Sequence, residues 1–207
     1  CFAWAQVSSE NTNYSRSWNP EELHDIGTAA SAEQLEYYIR QLAGFGTRHT
    51  LSDTVSDTRG IGAARRWIKA EFEKISDDCG RCLEVFYVSG IVESQRRVPE
   101  ATNVVNVVAI QRGYADPNRF VIMSGDIDSR VLDPNDGTSD SPGANDNASG
   151  MAGAIEAARI LSKYQFPSSI IYTGLSGEEQ GLLGGKILAD YAIATVSYTH
   201  LRAHETR

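Results

Sequence analysis

Residues 168–185 read SSIIYTGLSGEEQGLLGG. The opening run is almost unbroken apolar sequence, with the length and composition of a strand buried on both faces. A glycine-rich turn follows, and GLLGGKILADYA, residues 181–192, then has a helical pattern. At the junction stand two adjacent glutamates, Glu178 and Glu179, where like charges repel. The same order occurs upstream. RFVIMSG, residues 119–125, reads as a strand, residues 125–150 as a polar loop, and ASGMAGAIEAARILSKY, residues 148–164, as a helix rich in small residues. Strand–helix–strand–helix with near-continuous apolar strands predicts parallel pairing covered by helices. The expected class is therefore α/β, with a mixed, largely parallel sheet.

Further towards the N-terminus, SAEQLEYYIRQLAG (31–44) opens with Ser31 and Gln34 at capping-box spacing, and Leu35, Tyr38, Ile39 and Leu42 make an apolar stripe. GIGAARRWIKAEFEKI (60–75) places Ile61, Ala64, Trp67, Ile68, Phe72 and Ile75 on one helical face. CLEVFYVSG (82–90) and TNVVNVVAIQ (102–111) alternate partly and fit a long hairpin around a loop near Pro99. Residues 6–30 are polar and turn-rich, which suggests an extended arm. No linker or repeat divides residues 31–195, which read as one domain.

The chain has 207 residues, 41% of them hydrophobic and 22% charged, enough for a sizeable core. Its net charge of -8 disfavours a nucleic-acid partner. No apolar run approaches the roughly 20 residues of a membrane span. Oligomeric state is not legible. Ala3-Trp4-Ala5 fits the A-x-A end of a signal peptide, so residues 1–5 are either a signal remnant or an arbitrary start. Cys79-Gly80-Arg81-Cys82 suits a local disulfide, which together with the A-x-A pattern points to a secreted or periplasmic protein. Residues 196–207, VSYTHLRAHETR, resemble the in-frame translation of a transposase-based sequencing adapter and are set aside. That removes His200 and His204, which with Glu205 would otherwise make a helical metal-binding pair. The domain is then expected to be C-terminally truncated. Of the remaining histidines, His24 is expected at the surface, and His49 in a structural or surface position.

Ligands of open α/β sheets bind beyond the carboxyl ends of parallel strands. Here those ends run into Asp126-Ile127-Asp128 and into Glu178-Glu179, and SPGANDNASG (141–150) sets Asp146 at a helix start between them. Singly, each acid has a plain explanation: Asp146 as a helix N-cap, Asp126 and Asp128 as a solvated turn, the glutamates as an acidic first turn. Together, five carboxylates at one sheet edge would repel and in part take up protons, unless a divalent cation relieved them.

SG followed by Asp126-x-Asp128, then GANDNASG, then GEEQGLLGG resembles, in that order, the di-zinc aminopeptidase family of metallopeptidases. That family's relatives include glutamate carboxypeptidases and glutaminyl cyclases. The resemblance runs from about residue 30 to 194 and implies a three-layer α/β/α zinc-exopeptidase-like fold. It implies that Asp146 bridges two metal ions and that Glu179 ligates one of them. Glu178 would then be the general base, and Asp128 the acid that orients a ligand. It further implies hydrolysis of N-terminal residues from peptide substrates by a water activated at two metals. The other activities of the fold, cyclase-like or carboxypeptidase, and a non-catalytic binding domain are the alternatives. The family pattern has His where this chain has Asp126. An oxygen ligand there moves the preference from zinc towards Mn or Mg. The two remaining ligands of the family pattern are expected beyond the end of this sequence, which would leave the 207-residue chain itself inactive.

Overall fold

The structure is a computed structural model that describes residues 18–195; the readings for residues 1–17 and 196–207 lie outside the described residues. The first element corrects the expected extended arm, because Pro20–Thr28 is a helix, α1. Asn19 caps it, accepting from Glu21 N–H and donating its own N–H to Glu22, with Pro20 in the first turn. None of its residues is buried, so the helix has no apolar stripe from which it could have been read.

Helix α2, Ala32–Gly44, starts at Ser31, whose hydroxyl accepts from Gln34 N–H at 3.2 Å. The other half of the expected box is replaced from afar, since Ser31 N–H donates to the buried Glu156 carboxylate at 2.8 Å. Arg159 closes the same junction by pairing with Glu156 and donating to Ala29 O. Helix α3 is Gly60–Asp78, and a Cys79–Cys82 disulfide tightens the turn from it into β1, Leu83–Val92.

Strands β1 and β2, Thr102–Gln111, form the expected antiparallel hairpin, with Leu83 opposite Gln111 and Val92 opposite Thr102. Strand β3 is Asp116–Asp126, helix α4 Ser149–Leu161, strand β4 Ser168–Leu175 and helix α5 Leu183–Thr195. The sheet order is β1-β2-β4-β3. The sheet is mixed, as expected. Among the described residues, however, parallel pairing is confined to β3 with β4, because β1 and β2 are a hairpin and β2 meets β4 antiparallel.

Alternation along the strands separates two cores. Val107, Ala109, Ile170 and Tyr172 face α2, α3 and α4, where the predicted stripes Tyr38, Leu42, Ile61, Ala64, Ile68, Phe72 and Ile75 are buried with them. Val108 and Ile110, one residue out of step, face Ile187 and Leu188 of α5. The result is three layers, α/β/α. Each fully buried aliphatic side chain contributes about 1.5–3 kcal/mol, so this stacking is the main term that fixes the strand ends. Parallel register sets Asp126 opposite Leu175, and Ile127 N–H bonds to Leu175 O at 2.6 Å. Both strands therefore deliver their following loops to one edge.

Candidate metal centre

Where β3 ends, it lies against the first turn of α4. A Cβ on Gly125 would fall 2.4 Å from Met151 N, so only glycine allows this approach. The helix itself begins irregularly. A π-type turn, Ala144–Ala148, precedes it, with Asp146 at φ -117, ψ 101, and Ala148 stands at the cap position with no side-chain cap bond. Asp146 is therefore not the N-cap that its helix-start position suggested. Its side chain is exposed and has no hydrogen bond among the described residues. Asn147 takes the local role instead: its Oδ1 accepts from Gly150 N–H at 2.8 Å, and its Nδ2 donates to Asp126 Oδ2 at 2.9 Å.

At the other strand end, Gly177 takes φ +77, a left-handed value that lets the chain turn sharply before Glu178. The turn is fastened from below. Asp128, 2% exposed, accepts from Glu178 N–H at 3.2 Å through Oδ1. Its Oδ2 accepts from Glu179 N–H at 3.1 Å and from Thr50 Oγ1 at 3.1 Å. Asp128 is thus too buried to meet a substrate, and it orients Glu178 and Glu179 through their main chain. Burial pushes its carboxyl up to about 6, against the opposing pull of these hydrogen bonds.

The acids above Asp128 sense one another. Burial raises the Asp126 carboxyl, and the Asp146 and Glu179 charges add to that, while the bond from Asn147 opposes it. Burial likewise raises Glu178, with further pushes from Glu179, Asp126 and Asp146 and a counter-pull from Arg130. Four of the five predicted carboxylates thus share one electrostatic neighbourhood, and the fifth holds two of them in place. Chemically, that donor set fits a hard or borderline divalent cation. The side chains are not gathered into a ligating cluster, for among the described residues no three His, Cys, Asp or Glu side chains converge so as to hold a metal ion. Two of the candidate oxygens are already engaged, Asp126 Oδ2 by Asn147 and Glu179 Oε2 by Arg130 Nε at 2.5 Å.

The surrounding residues include several that the sequence did not announce. Arg48 is fully buried and donates to four carbonyls, Leu42 O, Ile127 O, Pro142 O and Gly143 O. It thereby ties the loop after Asp126 to the loop before Asp146. His49 is structural, as expected: Nδ1 accepts from Leu51 N–H, and Nε2 lies 3.1 Å from Pro134 O. Burial lowers its pKa. His24 lies exposed on α1. Arg97, in the β1–β2 loop, donates to the Glu179 carbonyl at 2.9 Å. A groove of about 420 Å³, lined by Phe86, Val108, Ile122 and Leu188 among others, lies on the α5 side of the sheet and not at the carboxylates.

Residues 106–201 match the family profile described as Peptidase family M28. A probable zinc metalloprotease of Leptosphaeria maculans is 47% identical over 169 residues, which cover 82% of this chain and 39% of that protein. A probable zinc metalloprotease of Pyricularia oryzae is 44% identical over 77% of this chain and 32% of its own length. The chain thus spans well under half of these relatives. Among solved structures, the LapA aminopeptidase of Legionella pneumophila superposes with a TM-score of 0.64 at 17% identity, over 93% of this chain and 45% of that one. The glutaminyl cyclase of Fimbriiglobus ruber gives 0.61 at 18%, over 80% and 56%. At those identities the two structures share the fold.

Proposed function

We propose, from the match of residues 106–201 to the peptidase family M28 profile and from the similarity to probable zinc metalloproteases, that the whole protein is a zinc-dependent exopeptidase, an aminopeptidase acting on peptides. The observation that carries the proposal is the grip of Asp128 on the two main-chain N–H groups of Glu178 and Glu179, which turns both glutamates out at the strand ends beside Asp126 and Asp146. Support for zinc comes from the names of the relatives, while the all-oxygen donor set of the described residues by itself leans towards Mn or Mg. Asp146 would bridge two ions, with Asp126 and Glu179 each holding one. Bound there, divalent ions would polarise the scissile carbonyl and acidify a water.

The rest of the chemistry falls to the protein. Glu178 accepts the proton of the attacking water and returns it to the leaving amine. Asp128 and Thr50 keep that base in position from beneath. The Cys79–Cys82 disulfide supports an exported protein in an oxidising compartment.

Glu178→Gln in the full-length protein tests the mechanism. Turnover of aminoacyl anilides should fall by about 10²–10⁴-fold while zinc content is unchanged. Activity that survives the change would mean that Glu178 is not the base. Running the same enzyme on N-terminally blocked peptides and on peptides with an N-terminal glutamine separates aminopeptidase from carboxypeptidase and cyclase chemistry.

A further inference from the structure

Arg130 leaves the buried loop directly after Asp128-Ser129 and turns back over the candidate site. Its Nε lies 2.5 Å from Glu179 Oε2, and its Nη1 donates to Val131 O at 3.1 Å and Leu132 O at 3.4 Å. The guanidinium is therefore held by its own loop on one side and spans to the carboxylate with the other. Two edges engaged at fixed angles suit Arg and not Lys. Arg97 also reaches Glu179, but at the main-chain carbonyl, which leaves the carboxylate to Arg130.

We propose, taking Glu179 as a metal ligand as above, that Arg130 is a resident counter-cation: it holds the Glu179 carboxylate in the metal-free chain and must give it up before a divalent ion can bind there. The surroundings favour such an exchange. A single guanidinium supplies one positive charge to a neighbourhood that contains Asp126, Asp146, Glu178 and Glu179. It leaves most of the mutual repulsion in place, and a dication relieves more of it. Guanidinium and dication on one carboxylate also repel each other, so binding of one opposes binding of the other. The pair is dissociable, since the side chain of Arg130 is 33% exposed and that of Glu179 15%. Arg130 has open solvent to move into and need not carry a bare charge into the core. The metal-free site is thus kept paired, and zinc affinity is lowered by the strength of the pair.

The experiment is a zinc titration of the metal-free full-length protein against a chromophoric chelator. Arg130→Met should bind zinc about five- to tenfold more tightly than wild type, the range expected for a partly exposed charge-assisted bond. Arg130→Lys, which keeps the charge and loses the two-edged geometry, should fall between. Arg96→Met removes one charge from the β1–β2 loop without touching Glu179 and should stay within about twofold, as screened charges do. Zinc binding by Arg130→Met that is unchanged or weaker overturns the proposal and makes Arg130 an orienting partner or a bystander. Equal tightening by Arg96→Met also overturns it, in favour of bulk charge. Glu179→Gln separates the two levels, for it should weaken zinc at least about tenfold. If it does not, Glu179 is no ligand, and the premise fails rather than the role of Arg130.

Discussion

Arg48 is a full positive charge that solvent does not reach, and four backbone carbonyls accept hydrogen bonds from it. Burial pulls its pKa down to about 10, which still leaves it charged, and Asp128 opposes the shift. Arg48→Met should cost about 1–3 kcal/mol, because it leaves Ile127 O without its guanidinium partner in the interior, whereas Leu42 O and Gly143 O each keep a main-chain N–H. Urea unfolding of the variant and the wild type would measure the difference. A loss under about 1 kcal/mol would mean that water replaces the guanidinium. Nothing at residue level in the sequence distinguishes Arg48 from a surface arginine. Its partners come from three separate segments, and only the folded chain brings them together. Asn147 and Arg130 were hidden for the same reason. Glu178, Glu179 and Asp146 could be read because strand ends and flanking glycines mark such places locally.

Helices were legible where they bury a stripe, and α1 was not, since none of its residues is buried. The long hairpin of β1 and β2 was legible from alternation and the Pro99 loop. That β3 and β4 end at one edge was expected from parallel pairing, whereas their residue-by-residue register, Asp126 opposite Leu175, was not legible, because it is fixed by contacts of the folded chain. Helix α3 carries a pH signature of its own. Glu71 is half-buried, and burial lifts its carboxyl above the ordinary value of 4.5, with Lys74 opposing. A raised native pKa means that the folded state holds the proton more firmly. The contribution of Glu71 is therefore fully present below the unfolded value and is lost as pH rises through the native one. Glu71→Gln should flatten that part of the decline, as read from melting temperatures between pH 4 and 7. An unchanged slope would show that the side chain escapes to solvent on ionising.

At the scale of the whole molecule, β3 is the end strand of the sheet among the described residues, and Val121 and Ile122 on it are 55% and 57% exposed. An apolar strand with an open edge is a template for pairing with another chain. The 207-residue chain by itself should therefore associate as its concentration rises, and Ile122→Lys should suppress this. Sedimentation over a hundredfold concentration range would check it, and a constant monomer mass would count against it.

The contact of Gly125 with Met151 has a consequence for how such a site can vary over time. Strand end and helix start touch through main-chain atoms, so the place of position 126 relative to the Asp146 turn does not depend on which side chain position 126 carries. Asp126-x-Asp128, where the family pattern that the sequence resembles has His-x-Asp, therefore needs no rebuilding of the scaffold. Position is set by the backbone, and the chemistry of the side chain is left free to differ.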